Sequence, residues 1–495
     1  MASPLRHKRH ECLPFDAVVL PATGTGILSA EFLEVDDGLD RISTLPDDLR
    51  RNIISRLPFK EAVRTTALAH NWRHIWGSTP LSLNDAHLLP SPGYVRAGAI
   101  DCILRSHPGP FESVHLANCY FEPYQRELAL WSRLLAEQGV KDLVFVRLEG
   151  PASIGPSPSM RLPVDILRCA NLRRLYIGYW RFPDTSDLPD GAGVFPHLEE
   201  LGIIDTRMED HDLDHILASS PVLKKLALIG NDLPVQVNLH SQSLQCVLFW
   251  LSVRSKINFV VVNAPSLERL IMWSYSTPHP DVRVVSAPVL KVLGYLDLGG
   301  GPLLSRNTVI KIKVDSEASP SSMIPSVKIL ALNMILLDSR DVQQLASVLR
   351  CFPNIETLHL KCAMARDNNY SEFFENLDPI ECVQSQIKTV VLHEFTGHQI
   401  EMALLRYLSQ KANQMQQLTL VSPHLAFPDE RSVGEIKDEL NDLLILPWAS
   451  EACTLLFLGP EKKFAWTFHR ASDPSILDPF LLDDGQELFR FVKGI

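Results

Sequence analysis

The chain has 495 residues, with 47 basic against 58 acidic side chains, a formal charge of −11, 46% hydrophobic and 21% charged residues. That length suits two to four ordinary domains or one long repeat array, and the composition is that of a folded protein rather than a disordered one. A net acidic chain lacks the basic surface that a nucleic-acid binder needs, so the expected partners are proteins and not nucleic acid.

Residues 1–39 read as a disordered tail. Its apolar part, LPFDAVVLPA, is broken by Asp16, unlike a signal peptide. Its basic run RHKRH reads as solvated tail, with nuclear import as the alternative, and His7, His10 and Cys12 likewise read as tail. The glycine pair in ATGTGI (22–27) lacks the preceding strand and the lysine of a phosphate loop. The nine cysteines are spread singly with no C-x-x-C, which is neither a disulfide framework nor a zinc module. Scattered thiols suit a reducing compartment, and no apolar run reaches the length of a membrane span, so nucleus or cytoplasm is the expected setting and no membrane contact is expected.

Residues 40–80 form a compact helical unit. Pro46 suits a first helical turn, Ser43 or Thr44 is placed to cap it, and Asp47 and Asp48 favour the helix start. Leu49, Ile53 and Leu57 recur every four residues, with arginines on the other faces, and Leu57-Pro58 stops the helix. Val63, Ala67 and Leu68 give a second apolar face; Trp72, Ile75 and Trp76 give a third, with Ile75 and Trp76 directed toward the repeats. Three helices in some forty residues bury too little surface to stand alone, so the unit needs something to dock on.

From residue 111 one pattern recurs: apolar, two residues, apolar, one residue, apolar. It begins at 111, 140, 172, 198, 223, 244, 267, 290, 327, 355, 387 and 415, twelve copies spaced 21 to 37 residues apart. Two apolar positions two apart share one face of a strand, and one such strand cannot bury that face alone. Stacking the copies gives a continuous core and a parallel sheet, so the fold class is an α/β solenoid of irregular leucine-rich repeats behind N-terminal helices. Only Cys119 and Asn231 occupy the Cys or Asn position of such repeats.

The return segments differ along the array. Helical spacing marks 212–221, 339–353 and 399–410, whereas around 244–293 the spacing falls to 21–23 and INFVVV and DVRVV read as extended. His211 and His215, four apart among aspartates, have zinc-helix spacing, but no zincin glutamate follows and no third ligand is evident, so the segment reads as a solvated helix start. Asn369-Tyr370-Ser371 is a glycosylation sequon only for a secreted chain. Tyr179, Trp180, Trp250, Trp273 and Tyr295 lie at or just past strand ends, where aromatic anchors suit substrate binding, and edge packing is the alternative for half or more of them. Beyond 425 the pattern stops, and 454–468 reads as a hairpin around Gly-Pro-Glu-Lys-Lys that covers the last exposed edge of the solenoid.

The stretch ISTLPDDLRRNIISRLPFKEAVRTTALAHNWRHIW, followed by STPLSLND, resembles an F-box. CFPNIETLHLKC and LDPIECVQSQIKTVVLHEFTGHQIEMALLRYLSQKANQMQQLTL resemble the FBD region of plant F-box proteins with leucine-rich repeats. The resemblance covers about residues 40–425 and divides the chain into tail (1–39), F-box (40–80), leucine-rich repeats (81–350), FBD-like terminal repeats (351–425) and a C-terminal cap with hairpin (426–495). It implies a non-catalytic substrate receptor of an SCF-type ubiquitin ligase, with a Skp-type adaptor and through it a cullin as partners, a protein substrate on the repeats, and no catalytic residue, cofactor or metal. Carried over residue by residue, the adaptor-binding set is Leu45, Pro46, Leu49, Ile53, Leu57, Pro58, Val63, Leu68 and Trp72. Ala69-His70-Asn71 departs from the basic run that family members carry before the tryptophan, which leaves a second reading open: a repeat scaffold that recruits no ligase. A metal hydrolase built on His211 and His215 is the third.

Overall fold

The structure is a computed structural model. It describes residues 42–147 except 58, 69, 90 and 120, residues 160–230 except 189–191, and residues 234–251, 257–274, 281–297, 323–336, 339–364, 374, 377–423, 433–459, 468–481 and 487–492. The tail, Pro58, Asn231 and the sequon therefore lie outside the described residues. The chain divides into two compact units, one within 19–235 and one within 236–495.

The first unit opens with three helices, Asp47–Arg56, Phe59–Arg64 and His70–Ser78. Asp47 and Asp48 occupy the positive start of the first, and Leu57 is extended (ψ 145°) as the residue before a proline must be. The cap is Pro46, with no side-chain cap bond, rather than Ser43 or Thr44; Ser43 Oγ instead accepts the Trp72 indole N–H at 3.1 Å. Ile54, Ala62, Trp72 and Ile75 form the core, with Leu57 and Trp76 packed against it. Arg50 also turns inward, over the Trp72 ring at 5.8 Å and paired with Asp47, whereas the sequence pattern assigns the arginines to the outer faces.

Six parallel strands follow: β1 (Leu81–Asn84), β2 (Phe111–Leu116), β3 (Asp142–Val146), β4 (Arg174–Gly178), β5 (Glu200–Ile204) and β6 (Lys225–Ile229), each paired with the next. Their register is one residue to one from β3 to β6, so Leu143, Leu175, Leu201 and Leu226 form one buried row and Phe145, Ile177, Ile203 and Leu228 the next. Returns include the helices Gly93–Ser106, Gln125–Glu137 and Asp210–Ala218, which bury Ile100, Leu128, Trp131, Leu213 and Ile216 among others. Each fully buried large apolar side chain contributes about 1.5–3 kcal/mol.

In the second unit β8 (Cys246–Leu251), β10 (Arg269–Ser274), β12 (Val292–Asp297), β13 (Ile329–Leu336), β14 (Thr357–Met364), β15 (Thr389–His393), β16 (Gln417–Val421) and β17 (Thr454–Leu458) pair in parallel. One row runs through all eight: Val247, Leu270, Leu293, Leu330, Leu358, Val390, Leu418 and Leu455. The returns of the short repeats are strands: β7 (Gln236–His240), β9 (Asn258–Asn263) and β11 (Asp281–Val284) make a separate three-stranded parallel sheet. Alternating Val and Phe favour extended backbone there, and repeats of 21–23 residues leave little room for a helical return. Longer repeats return through helices Ser339–Arg350 and Gln399–Lys411.

One expectation is corrected. The strand array does not stop at 425, because β17 continues it with Ala452 where Met415 stands in the previous copy. Among the described residues the antiparallel partner of β17 is β18 (Glu487–Val492), and the second strand of the expected hairpin lies outside the described residues. The mixed α/β class, N-terminal helices before a parallel array of repeat strands, is the one the repeat pattern implies.

Candidate functional site

The first helix has two apolar stripes. Ile54 and Leu57 face the small core, while Leu49 and Ile53, one turn apart, are 52% and 39% exposed. Leu68, after the second helix, is 68% exposed, Pro46 is exposed, and Ile42 is exposed as well. Leu45 and Val63 are half-buried. A unit of this size with its own core closed has no internal use for this surface. Trp72 does not belong to that face: it is 2% exposed and fills the core between Arg50 and Ser43. The helical spacing shows that position 72 is apolar but not which way it turns. Ile42 is the apolar residue that the helical reading missed, because it precedes the first helix.

Of the strand-end aromatics, Trp180 and Trp250 take the packing alternative. Trp180 is fully buried, stacked on Phe145 at 5.0 Å and 8° and on Phe121 at 5.7 Å, with its indole N–H donated to the Phe145 carbonyl at 2.8 Å. Tyr179 before it has φ 61°, and that left-handed turn directs Trp180 under the sheet. Trp250 is also buried. Tyr295 is half-buried and edge-on to His393 and Phe480. The Trp273 side chain lies outside the described residues. None of the four described aromatics forms an exposed anchor.

A row of polar side chains crosses β2 to β6 at one register: Ser113, Asp142, Arg174, Glu200 and Lys225. Asp142 accepts from Ser113 at 3.2 Å, from His115 at 3.1 Å and from Arg174 Nε at 2.9 Å, and the Tyr176 hydroxyl donates to Glu200. Burial alone would raise the Asp142 carboxyl, but hydrogen bonds from His115 and Arg174, with their charge, hold it at about 2. Alternating sign at the position before the strand leucine is a visible signal in the sequence that the apolar count passes over.

His211 and His215 do not converge on one site. His211 contacts Asp184 at 3.1 Å and Asp212 at 3.2 Å. His215 lies against Gly193, where an added Cβ would come within 3.1 Å of its Nε2. Asp212 is committed to the fold: it accepts from Thr185 N–H and hydroxyl and from the Glu209 N–H at the helix start. Asp184, His211 and Asp212 are close enough to share a cation, but the two outer groups are exposed and the third is occupied by backbone donors.

Three family patterns match: an F-box domain at residues 42–83, "FBD-associated F-box protein At5g56370, LRR repeats" at 128–360, and FBD at 375–420. The chain carries, in this order, an F-box, leucine-rich repeats and an FBD region. Among curated relatives from Arabidopsis thaliana, Putative FBD-associated F-box protein At5g56440 is 26% identical over 433 residues, 78% of this chain and 93% of its own length. F-box/FBD/LRR-repeat protein At3g52680 is 24% identical over 462 residues, covering 85% and 93%. F-box/FBD/LRR-repeat protein At1g13570 is 24% identical over 439 residues, covering 85% and 98%. The F-box match coincides with the helices that expose Leu49 and Ile53, so the exposed apolar face is a feature of the F-box module. An F-box/LRR chain is of the substrate-adaptor type, and its F-box generally implies a Skp-type adaptor partner.

Proposed function

We propose that this F-box/FBD/LRR protein is a non-catalytic substrate-recognition subunit of an SCF-type ubiquitin ligase. Its F-box docks the Skp-type adaptor and through it a cullin, and its repeats hold a protein substrate for ubiquitination. The observation that carries this reading is the Leu49–Ile53 stripe, left exposed on a helical unit that has already closed its own core. The docking set is then Leu45, Pro46, Leu49, Ile53, Leu57, Pro58, Val63 and Leu68, with Trp72 supporting it from beneath. Catalysis comes from proximity: a tethered substrate sees the charged conjugating enzyme at high effective concentration. We place the protein in the nucleus or cytoplasm, where scattered free thiols persist, and take the module bounds as those of the sequence reading.

The test is co-purification of the adaptor with the full chain. Leu49→Asp is expected to abolish it while the repeats stay folded; unchanged capture would remove the docking assignment. The Ala69-His70-Asn71 run favours a second reading, a repeat scaffold that recruits no ligase. Failure of the wild-type chain to capture the adaptor selects it.

A further inference from the structure

Residues 468–481, a short helix (Phe468–Ser472) and the loop after it, follow β17 and include the sequence Leu477-Asp478-Pro479-Phe480. They lie across the face of the second unit's sheet that the leucine row does not use. Seven contacts hold them. Arg269 of β10, a buried arginine, donates from Nη1 to the Ala471 carbonyl at 3.0 Å and from Nη2 to the Ile476 carbonyl at 2.6 Å and the Pro474 carbonyl at 3.4 Å. Cys246 of β8 meets the Ala471 carbonyl at 4.0 Å. His359 of β14, fully buried, bonds through Nε2 to Asp478 at 2.9 Å and through Nδ1 to His393 of β15 at 2.9 Å. Phe480 packs against Tyr295 of β12 at 5.1 Å and against His359 at 5.4 Å.

Two features separate this segment from an ordinary capping element. It is closed on itself: Arg470 donates to the Leu481 carbonyl, Asp473 accepts from Ser475, and Asp478 accepts from the Phe480 N–H. A compact loop with its ends tied can leave as a unit. Its anchorage is also that of a bound peptide. Arg269 reads backbone carbonyls, which every polypeptide carries, Asp478 and Phe480 add side-chain recognition, and Ala471 and Ser472 are buried beside the arginine-bound carbonyls, while Leu477 is 82% exposed. Main-chain reading plus two side-chain pockets is how a groove takes a peptide.

We propose that the face of β8 to β15 is a peptide-binding groove, filled in this structure by the chain's own 468–481 loop, and that it accepts partner polypeptides carrying an acidic residue two before an aromatic. The loop competes with that partner, so recognition by this half of the repeats requires its release. The idea rests on the receptor reading only for calling that partner a substrate.

Two measurements on the full chain test it. In hydrogen exchange of the wild type, amides of 473–481 are expected to exchange at least ~100-fold faster than those of β14 and β15, by local opening. Equal protection of loop and strands would make the loop a permanent part of the core and overturn the proposal. In the second, a fluorescent peptide of residues 468–481 is titrated into wild type, into Asp478→Ala/Phe480→Ala, and into that double variant carrying Arg269→Ala. The double variant is expected to bind at least ~10-fold tighter than wild type, and Arg269→Ala to remove the gain. A double variant that binds no better than wild type overturns the proposal. Neither measurement involves the adaptor, so failure here leaves the docking reading standing, and failure of the adaptor test leaves this groove untouched.

Discussion

Trp180→Ala tests the reassignment of a strand-end tryptophan from substrate anchor to core. The indole is fully buried, lies parallel to Phe145 at 5.0 Å, contacts Phe121 at 5.7 Å, and donates to the Phe145 carbonyl at 2.8 Å. Truncating such a side chain costs about 3–5 kcal/mol through lost transfer and a residual cavity, and the lost hydrogen bond is within that figure. Trp180→Phe keeps a stacked ring and loses the N–H donor, so about 1–2 kcal/mol is expected. A chain of two units does not unfold in one step, so the assay is hydrogen exchange of amides in β3 and β4, read as local opening free energy. The Ala variant should lose ~100-fold or more of that protection and the Phe variant about tenfold. Protection unchanged by Trp180→Ala would refute the core assignment, most clearly if partner capture by the repeats were lost at the same time.

Trp72→Ala should destabilise the F-box helices by about 3 kcal/mol or more, seen as new proteolytic cleavage within 47–78, whereas Leu49→Ala should leave proteolysis unchanged. Asp142, held at about 2, contributes stability above the ordinary carboxylate range that is lost as pH falls from about 4 to 2. Asp142→Asn should flatten that acid limb in exchange measurements of β3. Glu401 behaves oppositely. Burial lifts its carboxyl to about 7 despite donors from Thr396 and His398, so the folded state retains a proton that the unfolded chain releases near 4.5. Stability of the helix Gln399–Lys411 should therefore fall as pH rises from about 4.5 through 7, and Glu401→Gln should remove that slope in pH-dependent melts.

The twelve apolar triplets announce their strands because a period-two pair with a leading apolar residue has few other uses. Two strands of the parallel array escaped that pattern for local reasons. In β1 a bulge brings Leu81 opposite the leading Phe111, one residue closer to Leu83 than the pattern allows, and the buried Asp85 beyond Asn84 accepts from the Ala117 and Asn118 amides instead of joining the leucine row. In β17 a small Ala452 replaces the leading residue. Direction was harder to read than existence. The helix Asp47–Arg56 carries two apolar stripes, and only the tertiary packing of Trp72 and Ile75 decides that Ile54 goes in and Leu49 stays out. Tyr179 carries a backbone turn that no propensity predicts for tyrosine, and Trp180 is buried as a consequence. The loop 468–481 has little periodicity of its own, and its place depends on Arg269 and His359, more than a hundred residues away in sequence.

The central claim is that Leu49 and its neighbours form the adaptor face. Its most direct test is the calorimetric affinity of a Skp-type adaptor for the full chain, wild type against Leu49→Asp, with Leu446→Asp as an exposed-leucine control in the other unit. Burying an unpaired carboxylate in place of an apolar contact should weaken binding by ~100-fold or more, with the control unchanged. Equal affinity of Leu49→Asp and wild type would contradict the account.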